Sequence, residues 1–269
     1  MLCGCGVKLP PRPAGLPTPD PTAADAFITA TASCKGFRSI EGELSLSGRA
    51  GGERVRGRIL TGLESGGLVR LEAVAPFGAP FFILAGKSER ATLVLPRERR
   101  VLKDTGVRDV LERITGLSLG ADDLRLILSG CLVENAAPAD GRQWGDEWKA
   151  VTLGPERTAY LRRQNNQWLL TAADYGPWHV DYAAHAGGFP RSVRVRRAGD
   201  DAIDITARIE QLEGFQLLTM LKLDPDTRGI PVLTYTTEYE GQDFDEVISQ
   251  LAEEEEELLP AARPALRMN

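Results

Sequence analysis

This sequence predicts a mainly β, α+β fold: an antiparallel curved sheet or open barrel of about eleven strands with helices laid across it. Three observations carry that expectation. Between residues 40 and 209 most segments alternate apolar and polar side chains with a period of two. Gly or Pro stands at most of the junctions. Helical spacing interrupts the ladder once, in two adjacent segments.

The elements follow in order. Thr22 is placed to cap a short helix over 23–33, with Phe27, Ile28 and Thr31 on one side. From Ile40 to Gly48, apolar or small residues alternate with polar ones, as in a half-buried strand. Residues 53–60 repeat the pattern, Val55 and Ile59 facing one way and Arg54, Arg56 and Arg58 the other. Residues 68–74, 80–85, 91–95 and 99–103 continue the meander. Within 107–117, Val107, Val110, Leu111 and Ile114 fall at helical spacing. Within 121–132, Leu124, Leu126, Ile127, Leu128 and Cys131 do the same, with Asp122 as the expected cap. Residues 134–141 read as a loop. Strands are expected again at 148–153, 158–163, 168–173, 178–183, 192–197 and 202–209.

Composition narrows the classes of function. The 269 residues suffice for one large domain or two small ones. Apolar residues at 42% and charged residues at 26% are ordinary for a globular chain. A net charge of −6 argues against broad electrostatic binding of nucleic acid, although Glu253 to Glu257 account for most of it. Cys3, Cys5, Cys34 and Cys131 do not make a disulfide framework; an oxidising compartment would permit Cys34 to pair with Cys131.

Leu2-Cys3-Gly4-Cys5 resembles the lipobox of bacterial lipoproteins, with Cys5 as the site of lipid attachment. The run containing Pro10, Pro11, Pro13, Pro17, Pro19 and Pro21 reads as a flexible tether. An export signal needs an apolar stretch of roughly 7–15 residues before such a site. Only Met1 and Leu2 precede Cys3, so either the start lies further upstream or the tetrapeptide is chance.

Residues 71–78, Leu-Glu-Ala-Val-Ala-Pro-Phe-Gly, are similar to the apolar strand and loop that LolB-type proteins end in Pro-Leu-Gly. Ile114-Thr115-Gly116-Leu117 and the following run from Leu124 to Gly130 resemble the helix pair of the same lipoprotein-localisation factors. The strand ladder on either side has their order, and the resemblance covers about 24–212. It implies a half-open β-barrel with an α-helical lid around an apolar cavity for lipoprotein acyl chains. It also implies lipid anchoring at the outer membrane, facing the periplasm, with a periplasmic LolA-like carrier and outer-membrane lipid as partners. The implied function is to receive lipoproteins and help deliver them to that membrane, with no enzyme activity.

Such a cavity needs aliphatic walls, because each buried methylene contributes about 0.8 kcal/mol. Candidates are Leu44, Leu46, Ile59, Leu71, Leu84, Leu93 and Leu95 on strands, closed over by Ile114, Leu117, Ile127 and Leu128. A filled core would use these same residues. Phe77, between Pro76 and Gly78, occupies the place of the leucine by which LolB-type proteins put their cargo into the bilayer. Because Phe81 and Phe82 follow at once, the cluster could instead fold inward.

Residues 214–236 resemble part of a response-regulator receiver: a helix, Asp224-Pro225-Asp226-Thr227-Arg228, and the Ile230-Pro231-Val232 strand ending at Thr236. The acidic pair is missing, and Thr206 stands where the phosphoacceptor aspartate would be, so no Mg²⁺ or phosphoryl chemistry is expected. The expected division is 1–21 tether, 22–212 half barrel, and 213–269 a short α/β receiver-derived appendage with an acidic helix. Two other readings stay open: a sensing module of the same fold without transfer, and a cytosolic interaction protein using the receiver-like tail.

For catalysis, His179 and Asp181 would share a strand face, with Asp174 near, but a solvent-facing histidine explains them more simply. No nucleophile elbow, phosphate-binding Gly loop or metal quartet is present in the sequence, and no cofactor is expected.

Overall fold

The period-two segments pair with their sequence neighbours, and two long meanders join into one sheet. The structure, a computed structural model, describes residues 11–75, 80–88, 90–134, 138–199 and 202–210, and only the backbone of Asp104 and Ile114. The strands are β1 (Thr18–Pro19), β2 (Ser39–Ala50), β3 (Glu53–Glu64), β4 (Leu68–Val74), β5 (Ile83–Lys87), β6 (Arg90–Leu95) and β7 (Arg100–Thr105). After the helices come β8 (Ala139–Trp144), β9 (Trp148–Thr152), β10 (Arg157–Gln164), β11 (Gln167–Tyr175), β12 (Trp178–Ala183), β13 (Ser192–Arg197) and β14 (Ile203–Ile209). The helices are α1 (Ala23–Ala30), α2 (Val107–Thr115) and α3 (Ala121–Ser129).

The fourteen strands of the described residues form one sheet, in the order β1-β8-β9-β10-β11-β12-β13-β14-β2-β3-β4-β5-β6-β7. Its seam is β14 against β2, antiparallel from Ile203↔Ala50 to Ile209↔Leu44. Among the described residues the edges β1 and β7 do not meet, so the barrel is open. The reversal between β2 and β3 is a two-residue turn in which Gly51 and Gly52 both take positive φ, 54° and 81°.

Alternation buries one face of the sheet. In β4, Val69, Leu71 and Ala73 are buried while their neighbours are half-exposed. In β14 the buried set is Ile203, Ile205, Ala207 and Ile209. The helices lie on this inner face: α1 against β8 to β11, α3 against β2, β3 and β4, and α2 against β6. Each can bury its apolar stripe only by facing the sheet.

Local chemistry departs from expectation at several points. The region 134–141 contains the start of β8, whose Ala-Asp-Gly-Arg-Gln-Trp lacks an apolar alternation. Thr22 makes no cap bond; its hydroxyl donates to Asp20 at 2.8 Å. The cap position of α3 is Gly120, and Asp123, not Asp122, accepts the Gly120 N–H at 3.0 Å. In α1, Phe27 is buried but Ile28 is 56% exposed, because only the side bearing Ala23, Ala26 and Phe27 meets the sheet.

The N-terminal Pro-rich run is docked along part of its length. Arg12 lies on the outer face, with Nη1 at 2.5 Å from Asp174 and Nη2 donating to the Ala173 carbonyl at 3.0 Å. Its guanidinium also covers the Tyr160 ring at 5.1 Å. Trp144 donates to the Gly15 carbonyl at 3.0 Å, and Thr18–Pro19 pair with β8.

A candidate apolar binding face and its mouth

The sheet register brings the expected wall residues to one face. Leu44, Leu71, Leu84, Leu93, Ile127 and Leu128 are buried in a single apolar cluster, with Leu46, Ile59, Leu95 and Leu117 packed against it. Leu71 pairs with Leu84 and Leu84 with Leu93, forming a cross-strand row. Ile127 and Leu128 come from α3, and Leu117 from the turn after α2. Ile114 lies in α2, and its side chain is outside what the structure describes.

Burial along this face is uneven. In the middle of the sheet Ile40, Leu63 and Leu84 are at most 2% exposed. Toward the β2–β3 turn the inner positions Leu46, Val55 and Ile59 are only partly buried. Leu95, Phe81 and Leu117 are partly buried as well. Val55 has the same parity as Ile59, so alternation alone could have added it to the wall. Phe81 is placed by tertiary context: its N–H bonds the Ala73 carbonyl at 2.9 Å, and Arg97 stacks on its ring at 4.1 Å.

The helices are fastened across the open barrel. The Tyr175 hydroxyl on β11 donates to Asp123 on α3 at 2.7 Å. Asp123 also meets Arg108 of α2 at 3.0 Å and Arg157 of β10 at 3.7 Å. Burial pushes the Tyr175 hydroxyl up, and the Asp123 carboxylate pushes it further, so it remains a donor throughout the physiological range. Cys34, just after α1, is joined by a disulfide to Cys131, just after α3. Beside this disulfide is a cavity of about 200 Å³ whose lining includes Cys34, Gly130, Leu170 and His185. Burial lowers the His185 pKa, partly offset by a hydrogen bond at the Leu170 backbone, which favours the neutral imidazole.

On the outer face, His179 and Asp181 do share one side of β12, but they do not pair. His179 Nδ1 lies 2.7 Å from Asp174, and Asp181 is bound by Arg196 at 2.6 Å. Burial raises the Asp174 carboxyl, and its bonds with Arg12, His179 and Tyr160 more than offset this, leaving it below the usual value. The group is a closed ion-pair network holding Arg12. Among the described residues no cluster of His, Cys, Asp and Glu could hold a metal ion, and no helix is long and apolar enough to cross a membrane.

Cys5, Pro76, Phe77, Gly78 and the receiver-like segment 214–236 lie outside the described residues. No protein-family model matches the chain, and no curated protein matches it. Among solved structures, it is similar to a LolA superfamily protein from Nitrosomonas europaea, with TM-score 0.49 and 11% identity, over 74% of this chain and 96% of that one. It is also similar to a putative outer membrane lipoprotein-sorting protein domain from Vibrio parahaemolyticus, with TM-score 0.43 and 9% identity, over 76% and 98% of the two chains. The open-barrel assignment rests on the strand order itself.

Proposed function

We propose that this protein binds the acyl chains of lipidated proteins between its inner sheet face and the α2–α3 lid, and hands them to a membrane. The observation that carries the reading is the half-exposed aliphatic and aromatic set Leu46, Val55, Ile59, Phe81, Leu95 and Leu117. It is continuous with a fully buried apolar face. Extending an acyl chain from this mouth inward would bury methylenes at about 0.8 kcal/mol each. Leu44, Leu71, Leu84, Leu93, Ile127 and Leu128 would form the deeper wall, moving apart as the lid shifts.

Cys5 would carry the lipid anchor, with the protein facing the periplasm at the outer membrane. From Cys5 to Arg12 the chain can span at most about 25 Å, at 3.3–3.6 Å per residue, so docking of Arg12 would keep the barrel close to the bilayer. The disulfide between Cys34 and Cys131 fits an oxidising compartment. A LolA-like carrier would present cargo at the mouth, and Phe77 would help release it into lipid. The activity is binding and transfer without bond making.

The test is titration of a fluorescent acyl probe into the full chain, with competition by a triacylated lipopeptide. Saturable binding displaced by the lipopeptide, and weakened at least tenfold by Ile59→Glu or Leu117→Glu, is expected. A folded protein that binds no probe would overturn the reading. Phe77→Glu should keep probe binding and lose transfer of a lipoprotein to vesicles; retained transfer would leave a sensing module instead.

A further inference from the structure

β3 carries two chemistries on its two faces. Inward, Val55 and Ile59 belong to the mouth; outward, Arg54, Arg56 and Arg58 are exposed. The register adds cations beside them. Arg49 on β2 stands between Arg54 and Asp204 of β14, and Ser45 on β2 stands between Arg58 and Arg208 of β14. Arg49 and Arg208 are exposed too. The outward acids along these rows are already engaged: Glu43 with Arg58 at 3.3 Å, and Asp204 with Arg194 through two bonds of 2.5 and 2.6 Å. Arg54, Arg56 and Arg208 form no ion pair with a described residue.

Like charges directly opposed on neighbouring strands are destabilising, and the Arg49–Arg54 pair sits beside the Gly51–Gly52 turn. On a chain of net charge −6, a basic stripe at one end of the sheet is a local reversal of sign. An anion would neutralise it. The stripe shares its hairpin with half-exposed apolar residues, and arginine stems can lie along apolar surface while their guanidinium groups reach outward. That combination fits an interface offering negative headgroups with hydrocarbon just behind them. It fits an acidic polypeptide less well, because the apolar half of the hairpin would gain nothing.

We propose that the tip of the β2–β3 hairpin is a docking surface for anionic phospholipid, with Arg49, Arg54, Arg56 and Arg208 at the headgroups. The mouth is thereby turned toward the bilayer, an orientation that rests on reading the mouth as an acyl-chain entrance.

The test is co-sedimentation of the full, unlipidated chain with vesicles of phosphatidylcholine alone or mixed equally with phosphatidylglycerol. Binding to the mixed vesicles only is expected, with release near 1 M salt, where screening acts over about 3 Å. Arg54→Gln with Arg56→Gln should weaken it roughly 30-fold, about fivefold per arginine, while Arg163→Gln on the distant β10 leaves it unchanged. Equal binding to both vesicle types, no binding, or an unaffected double variant each overturns the proposal. So does salt-sensitive capture of a polyglutamate peptide in place of vesicles. The acyl-probe titration on the same double variant separates the two readings. Retained probe binding with lost vesicle binding supports docking, and vesicle binding by a protein that takes no probe removes only the acyl reading. If the glutamine pair also impairs probe binding, Arg54→Lys with Arg56→Lys must restore vesicle binding, and its failure to do so rejects the docking surface.

Discussion

The Tyr175 hydroxyl reaches across the open barrel to Asp123, 2.7 Å away, and so ties the end of β11 to the first turn of α3. The rest of α3 packs on β2, β3 and β4, in the other half of the sheet. That bond, with the Arg157–Asp123 contact at 3.7 Å and the Cys34–Cys131 disulfide, links the two halves through the helices. Asp123 answers for the lid's start as well, since it accepts the Gly120 N–H at 3.0 Å.

Removing that bond should loosen the lid without unfolding the barrel. Tyr175→Phe leaves Asp123 with Arg108, Arg157 and the Gly120 N–H, so the loss should be about 1–2 kcal/mol in urea unfolding. The dissociation rate of a bound acyl probe should rise several-fold. An unaltered dissociation rate would show that α3 does not gate the face.

The Cys34–Cys131 disulfide joins positions 97 apart in sequence, between the ends of α1 and α3. Closing so long a loop restricts the unfolded chain, and its loss should cost about 2–5 kcal/mol. Cys34→Ser with Cys131→Ser, or reduction of the native protein, should lower the urea midpoint by equal amounts. If neither moves the midpoint, the bridge is not what fixes these helices.

Lys149 and Asp20 form a 2.6 Å ion pair with side chains 11% and 6% exposed. Burial raises the Asp20 carboxyl, and Lys149 and Thr22 more than offset it, leaving its pKa below the ordinary 3.8. A lowered acid contributes stability that is present above its unfolded pKa and disappears as pH falls through the folded value. Lys149→Met should cost about 3–5 kcal/mol, because it strands a buried carboxylate. Adding Asp20→Asn should recover much of that in thermal unfolding at neutral pH. No recovery would mean that Lys149 matters for its packing on Trp168, 5.1 Å from the ring centroid, rather than for the pair.

His185 also loses its contribution on acidification, but nearer neutrality. Its folded pKa lies below the ordinary 6.5 because burial disfavours the imidazolium. The unfolded chain then binds the proton more readily, so stability is full above about 6.5 and declines as pH falls toward the folded value. Urea midpoints measured between neutral pH and pH 5 should fall for the native protein and flatten for His185→Gln. Parallel pH profiles for the two proteins would rule His185 out as the source.

Strands with clear alternation were legible because a pleated chain sends every second side chain to one face. β2, β3, β4, β9, β12 and β13 lie where the pattern places them, and α2 and α3 follow their apolar spacing. β8 was not legible: Ala139 to Trp144 has no alternation, and its strand form comes from pairing with β9 and β1. The docking of Arg12 was hidden for a similar reason. Proline spacing describes a chain's local stiffness, whereas the partners Asp174 and Tyr160 lie more than a hundred residues away.

The sequence by itself determined which side chains share a face, because period and parity are local properties of the backbone. It thereby grouped Leu44, Ile59, Leu71, Leu84 and Leu93 and set Arg54, Arg56 and Arg58 on the reverse side of the sheet. Only the tertiary structure decided which end of that apolar face stays partly open, which helix covers which strands, and which charges meet. Those outcomes depend on contacts between distant segments, such as β14 with β2 and Tyr175 with Asp123, whose free energy arises only once the sheet has brought them together.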